Sequence, residues 1–242
     1  MLSKAHLKVC GLAASALPPE HQHVISVLWD GVQCGVTLPD EFRAFWDPDE
    51  QNGVIRRVLT HRCYVDSDDP RDCGCPIQIA RYATGTLAFI ADFAAGELEG
   101  AYDDDEFRLN CGAYLGVIAH HAGDLWTPVH LGRSLDPATV GFRRRSGLHS
   151  RVEADTDRAA EALQTPLSHE PKLTPLDTAH WAALARRLHT QLYLPLPSIY
   201  GPAKSPAGVG DFAAGCVMGA SQTTADVWYT VLGSSPIAGL RL

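Results

Sequence analysis

The sequence predicts an all-α protein, and three observations lead to that prediction. Apolar residues recur about every 3.6 positions in six segments of the 242-residue chain, and strand-like alternation of apolar and polar residues is nearly absent. The stretches between these segments are rich in Pro, Gly, Asp and Ser, which are turn-forming residues. We therefore expect a single-domain bundle of helices joined by long loops.

The predicted helices are amphipathic. In the second of them, Ile77, Leu87 and Ile90 share one face, whereas Arg81 and Asp92 lie away from it. The six predicted helices span residues 5–17, 77–98, 106–123, 148–163, 178–192 and 211–232. The predicted loops comprise residues 48–53, 66–76, 131–147 and 194–210. Because loops of this length are usually functional or mobile, we expect a site between helix ends.

Composition predicts one globular domain over residues 1–242 and excludes two function classes. The net charge is −8, and Lys and Arg are scattered apart from residues 143–145, so the protein has no basic face for wrapping duplex DNA. No stretch has the roughly 18 apolar residues of a membrane span. The odd number of cysteines, seven, favours a cytoplasmic protein over a secreted one.

Histidine and carboxylate residues are spaced as metal ligands in the middle of the chain. On a helix, His120 and Asp124 project from one face, four residues apart. Pro128 ends that helix and allows His130 to return toward the pair. His130 would thus add a nitrogen donor to the two residues on the helix.

A second pair, His149 and Glu153, has the same spacing of four residues. Taken alone, either pair is better explained as a capping or salt-bridging pair on a solvated face. Two pairs together with His130 supply five nitrogen and oxygen ligands, a set suited to zinc. His121 lies about 100° around the helix from His120, so we expect a core or supporting role for it.

This pattern resembles the superfamily of zinc-dependent phospholipases C and single-strand-specific nucleases with 3′-nucleotidase activity. Residues 39–43, Pro-Asp-Glu-Phe-Arg, are similar to the Asp-Glu-aromatic-Arg motif of the nuclease branch, and residues 64–66 and 75–82 resemble the stretches that follow. Recognisable motifs extend over residues 1–153. The resemblance implies an all-helical fold with a cleft that holds three zinc ions.

The resemblance also implies a ligand set. The first zinc would be held by Asp40, His61, His120 and Asp124, the second by His130, His149 and Glu153, and the third by His6 and Asp124 with the amine and carbonyl of Met1. Where the family has its ligand histidine, this chain has Cys63, and His61 lies two residues earlier; we prefer His61 because a thiolate is unusual in such clusters. Asp47 is an alternative to Asp40. Glu153 matches the phospholipase branch, since nucleases have aspartate there.

The implied activity is hydrolysis of phosphoesters by a zinc-activated water, with single-stranded nucleic acid or nucleotides as the expected substrates. Asp40 and Arg43 are the catalytic candidates, Arg43 as a grip on phosphate, unless it forms a surface salt bridge. Tyr64 and Asp66 would stack on and hydrogen-bond a nucleobase, or else be a core tyrosine and a turn cap. The alternatives are a phospholipase C acting on lipid head groups and a family member that acts on or binds a small molecule.

Overall fold

The computed structural model describes residues 3–41, 74–94, 104–131, 147–201 and 205–233, and these residues confirm the all-α prediction because none of them forms a strand. The α-helices are α1 Ser3–Ala16, α2 Pro19–Val27, α3 Trp29–Glu41, α4 Gly74–Ala94, α5 Asp104–Trp126, α6 Leu148–Ala162, α7 Thr178–Leu188, α8 Leu196–Ile199 and α9 Pro206–Gly233. A 3₁₀ turn, Pro128–His130, follows α5, and a π turn, His189–Tyr193, extends α7.

Each of the six predicted helices has a counterpart, but α2, α3 and α8 were not predicted. The prediction of a loop over residues 194–210 was wrong in part, because α8 lies inside it and α9 begins within it at Pro206. The prolines that indicated a loop there suit the first turn of a helix.

Helix α2 begins with Pro19 at its first position, where the missing N–H costs nothing. Helix α3 contains Gly31, Gly35 and Pro39, which are helix breakers in a sequence pattern. Tertiary packing overrides this propensity, because the two glycines lie where α3 meets another helix.

Helices α3 and α5 are in backbone contact through two pairs of glycines. A Cβ atom added to Gly35 would overlap the backbone of Ala113, and one added to Gly112 would lie 2.8 Å from the Cα of Gly31. Gly116 is equally close to the backbone of α3. Only glycine therefore permits this approach, and the crossing fixes α5 against α3.

Helix α5 is the central helix, since it contacts α1, α3, α4, α7 and α9. Leu115 and Ile118 on it are fully buried, and the indole Nε1 of Trp228 on α9 donates to the Leu115 carbonyl at 3.1 Å. None of the described helices combines the length and apolar character that crossing a bilayer requires. The polar residues at the C-terminal end of α5, among them His120 and Asp124, are buried between these helices.

The C-terminal end of α5 is anchored to α9. The ring of Trp126 packs where a Cβ on Gly219 would otherwise lie, and its Nε1 donates to Thr223 Oγ1 at 2.8 Å. Thr127 Oγ1 donates to the Gly123 carbonyl at 2.9 Å, which satisfies one of the last carbonyls of the helix. The chain then turns at Pro128, and this turn positions the next histidine beside α5.

Candidate metal centre

A fully buried carboxylate, that of Asp124, lies at the centre of the site. Its Oδ1 is 3.6 Å from Nε2 of His6 on α1. Its Oδ2 is 3.4 Å from Nε2 of His120 on α5 and 3.6 Å from Nδ1 of His130 in the 3₁₀ turn. Three separate parts of the chain therefore bring an imidazole to one aspartate.

The orientation of His120 is fixed by α3. Its Nδ1 lies 2.8 Å from the carbonyl oxygen of Val36. Because a carbonyl can only accept, Nδ1 donates this hydrogen bond, and Nε2 is the ring nitrogen that faces Asp124 Oδ2, at 3.4 Å. Nε2 is therefore the atom of this ring that would bind a metal ion next to Asp124. Metal-ligating histidines are commonly held by such a hydrogen bond from the other ring nitrogen.

His6 has the surroundings of a metal ligand. Its side chain is fully buried, and neither ring nitrogen has a hydrogen-bond partner among the described residues. Its ring stacks on that of His120, with centroids 4.1 Å apart. Burial, followed by the neighbouring His120, holds the pKa of His6 well below its ordinary value. The imidazole is therefore neutral and offers a lone pair, the form that binds metal.

A second set of donors is linked to the first through His130. Nε2 of this ring is 3.6 Å from Oε1 of Glu153, so its two nitrogens face two different carboxylates. Burial lowers the pKa of His130 despite the opposing effects of Asp124 and Glu153. A neutral ring donates at one nitrogen only, so the other presents a lone pair toward a carboxylate.

Glu153 on α6 also contacts His149, one turn earlier on that helix, with Nε2 and Oε1 3.1 Å apart. Burial raises the pKa of the Glu153 carboxyl. Its contacts with His130 and His149 together lower the pKa by more than burial raises it, so the pKa is well below its usual range. The group is therefore ionised. The His149 side chain is 51% exposed, so this second set opens toward solvent.

The donor atoms fit metal binding. Within the His6–His120–Asp124 set, and within the His130–His149–Glu153 set, the donor atoms all lie within 4.8 Å of one another. Nitrogen and oxygen donors in such numbers suit zinc. A divalent cation at these donors would be attracted by the negative charge of the buried Asp124 carboxylate.

The structure also shows a third set that sequence reasoning missed, formed by Cys75, His121 and Asp124. All three side chains are buried, and their donor atoms again lie within 4.8 Å of one another. The available signal was the spacing of three residues between His121 and Asp124, which places both on neighbouring positions of one helix face. The position of His121 relative to His120 had predicted a core or supporting role for it instead.

The remaining predicted site residues are placed as follows. Asp40 lies at the C-terminal end of α3 with an exposed side chain, and among the described side chains it belongs to none of the three sets. Outside the described residues lie the other candidates of the sequence analysis: Met1, Arg43, Asp47, His61, Cys63, Tyr64 and Asp66. Their roles stay predictions.

Comparisons with known proteins give a likeness in structure alone, since no family profile and no curated protein sequence matches the chain. An alpha-toxin of Clostridium perfringens, isolated from avian strain SWCP, aligns with a TM-score of 0.58 and 16% identity over 96% of this chain and 64% of the toxin chain. The alpha-toxin of Clostridium absonum aligns with a TM-score of 0.51 and 18% identity over 95% of this chain and 63% of the other. The chain thus spans a little less than two thirds of each toxin, and at these identities it is the fold that they share.

Proposed function

We propose that this protein is a zinc-dependent hydrolase of phosphoester bonds. The observation that carries the proposal is the position of Asp124, a buried carboxylate faced by three imidazoles, of which His6 and His130 are neutral. These side chains bring to one buried carboxylate the nitrogen and oxygen donors that zinc prefers.

The two sets of nitrogen and oxygen donors would act as one centre. His130 contacts a carboxylate of each set, so ions held by the two sets would be neighbours. Bound zinc ions would activate a water, neutralise phosphate oxygens and stabilise the leaving alkoxide. The exposed side of His149 is the side from which a phosphoester reaches the centre, and Arg43 is the proposed grip on its phosphate oxygens.

Two observations favour a phospholipase C-type substrate over the nucleic acid that the sequence analysis placed first. The second donor set contains a glutamate, Glu153, which is the residue of the phospholipase branch in the resemblance. Two solved structures that share this fold are clostridial alpha-toxins, which supports the phospholipase side of the resemblance and not the nuclease side. We therefore propose a phosphodiester of a lipid head group as the substrate.

The proposal is tested with one protein and a panel of substrates. Zinc-loaded and chelator-treated protein are compared on phosphatidylcholine vesicles, a soluble phosphocholine ester, single-stranded DNA and 3′-nucleotides. We expect zinc-dependent cleavage of the choline phosphoesters. Cleavage of DNA or nucleotides alone would return the assignment to the nuclease branch, and bound zinc without hydrolysis of any substrate would indicate a binding protein.

A matched pair of substitutions on α6 tests the role of the second set. Glu153→Gln removes a carboxylate that lies within reach of two histidines, and we expect loss of zinc from that set and loss of hydrolysis. Glu161→Gln, on the same helix, changes an exposed glutamate whose partner is Lys4, and we expect it to leave activity unchanged. Equal activity in the two variants would contradict the proposal.

A further inference from the structure

A cysteine, a histidine and an aspartate meet in the core where α4 packs on α5. Cys75 lies in the first turn of α4 and is fully buried, and His121 is 2% exposed. Their donor atoms lie within 4.8 Å of each other and of a carboxylate oxygen of Asp124. The Cys75 thiol forms no disulfide with another described cysteine. The proposed function uses neither Cys75 nor His121.

Local geometry holds these groups in place. His120 and His121 precede Asp124 by four and three residues, so one carboxylate lies within reach of both rings. The two rings lie next to each other, with centroids 5.5 Å apart, and their planes are nearly perpendicular, at 81°. The His121 ring is parallel to that of Tyr82 on α4, with centroids 6.3 Å apart, so α4 supplies both the thiol and the aromatic neighbour.

We propose that Cys75, His121 and Asp124 form a metal site of mixed sulfur, nitrogen and oxygen donors, in which Asp124 is shared with the His6–His120 set. The donor types select a borderline-soft divalent ion such as zinc, and a thiolate disfavours magnesium and calcium. A tetrahedral zinc ion with a sulfur and a nitrogen ligand holds them roughly 3.6 Å apart, which the 4.8 Å limit of this set accommodates.

The competing explanation is that Cys75 is a small apolar side chain that fills the core, as many buried cysteines do. Its proximity to a histidine and an ionisable carboxylate, both also buried, is what separates it from Cys111 on α5. Cys111 is equally buried but belongs to no donor set among the described residues. The two cysteines therefore make a matched pair for experiment.

The experiment measures sulfur ligation directly and does not depend on activity. The full chain is loaded with zinc for X-ray absorption and with cobalt for optical spectra. We expect a sulfur neighbour at about 2.3 Å from zinc and a thiolate-to-cobalt charge-transfer band. Cys75→Ser should remove both signals, whereas Cys111→Ser should keep them. Cys63→Ser should also keep them, which separates Cys75 from the other cysteine considered as a ligand.

A second measurement covers the case in which Cys75→Ser does not fold. Alkylation of each cysteine in the wild-type chain is followed by mass spectrometry, with zinc and with chelator. We expect zinc to slow the labelling of Cys75 more than that of the equally buried Cys111, and to leave that of the exposed Cys34 unchanged. The proposal is overturned if zinc has no sulfur neighbour, if the signals disappear with Cys63→Ser instead, or if zinc slows the labelling of Cys75 no more than that of Cys111.

Discussion

The substitution Asp124→Asn separates a metal ligand from an ordinary buried aspartate. It keeps the shape of the side chain but removes the charge and replaces one oxygen by an amide group that can donate. In the wild type, Asp124 Oδ1 lies 3.6 Å from Nε2 of His6, a ring that its lowered pKa keeps neutral. We therefore expect the effect of the substitution on stability to change with metal, because an amide suits this neighbour better when no cation is present.

The magnitude follows from linkage between metal binding and folding. Free zinc at 100 to 1,000 times its dissociation constant stabilises the folded state by about 2.7 to 4.1 kcal/mol per site. For a chain of this size, each kcal/mol shifts Tm by roughly 2–4 °C, so removal of zinc should lower the wild-type Tm by about 5–16 °C. Asp124→Asn should lose most of that increment in zinc and be no less stable than the wild type in chelator.

The assay is thermal unfolding followed by circular dichroism, with zinc or with chelator, together with the zinc content of each protein. Asp226→Asn is the control, since its carboxylate also contacts a histidine: Oδ1 lies 2.8 Å from His169 Nε2 and accepts from the Lys172 N–H. That variant should be destabilised equally in both conditions. Equal destabilisation of Asp124→Asn in zinc and in chelator would refute the reasoning.

Three further predictions concern other parts of the chain. Arg43→Lys should lower turnover while leaving zinc content unchanged, because it keeps the charge and loses the planar fork; unchanged turnover would make Arg43 a surface residue. One or two residues added before Met1 should remove one zinc ion and lower activity, and full zinc content would show that the terminus is not a ligand. Gly35→Ala should lower the free energy of unfolding by about 1–3 kcal/mol or more by overlap with α5, whereas Gly215→Ala, which meets nothing within 4 Å, should stabilise α9 by up to about 1 kcal/mol in denaturant titrations.

Sequence reasoning succeeded where the geometry is local. The 3.6 periodicity was sufficient for six helices, because each buries a face that the pattern itself displays. The spacing of His149 and Glu153 was likewise enough to place them side by side, since four residues make about one helical turn. Pro128 also correctly predicted the end of α5 and the turn that carries His130, because a proline ends a helix through its own backbone.

Sequence reasoning fell short where distant segments meet. Nothing near Cys75 in the chain indicates that it packs beside His121, because that contact depends on how α4 lies on α5. Helix α3 was missed for a related reason: its glycines lower helix propensity and are explained only by the partner helix. The contact between Val36 and His120 could not be predicted either, because it is made by a backbone carbonyl, which every residue type has.

The glycine crossing of α3 and α5 has a consequence for metal selectivity. The carbonyl of Val36 that orients His120 lies one residue beyond Gly35, so the aim of a ligand ring is set by two backbones in contact rather than by compressible side chains. The proposed centre would resist widening for a larger ion, because that would require the two backbones to move apart. Substitutions at the crossing, such as at Gly116, which precedes His120 by one helical turn, would then change which cations the centre accepts according to their radius.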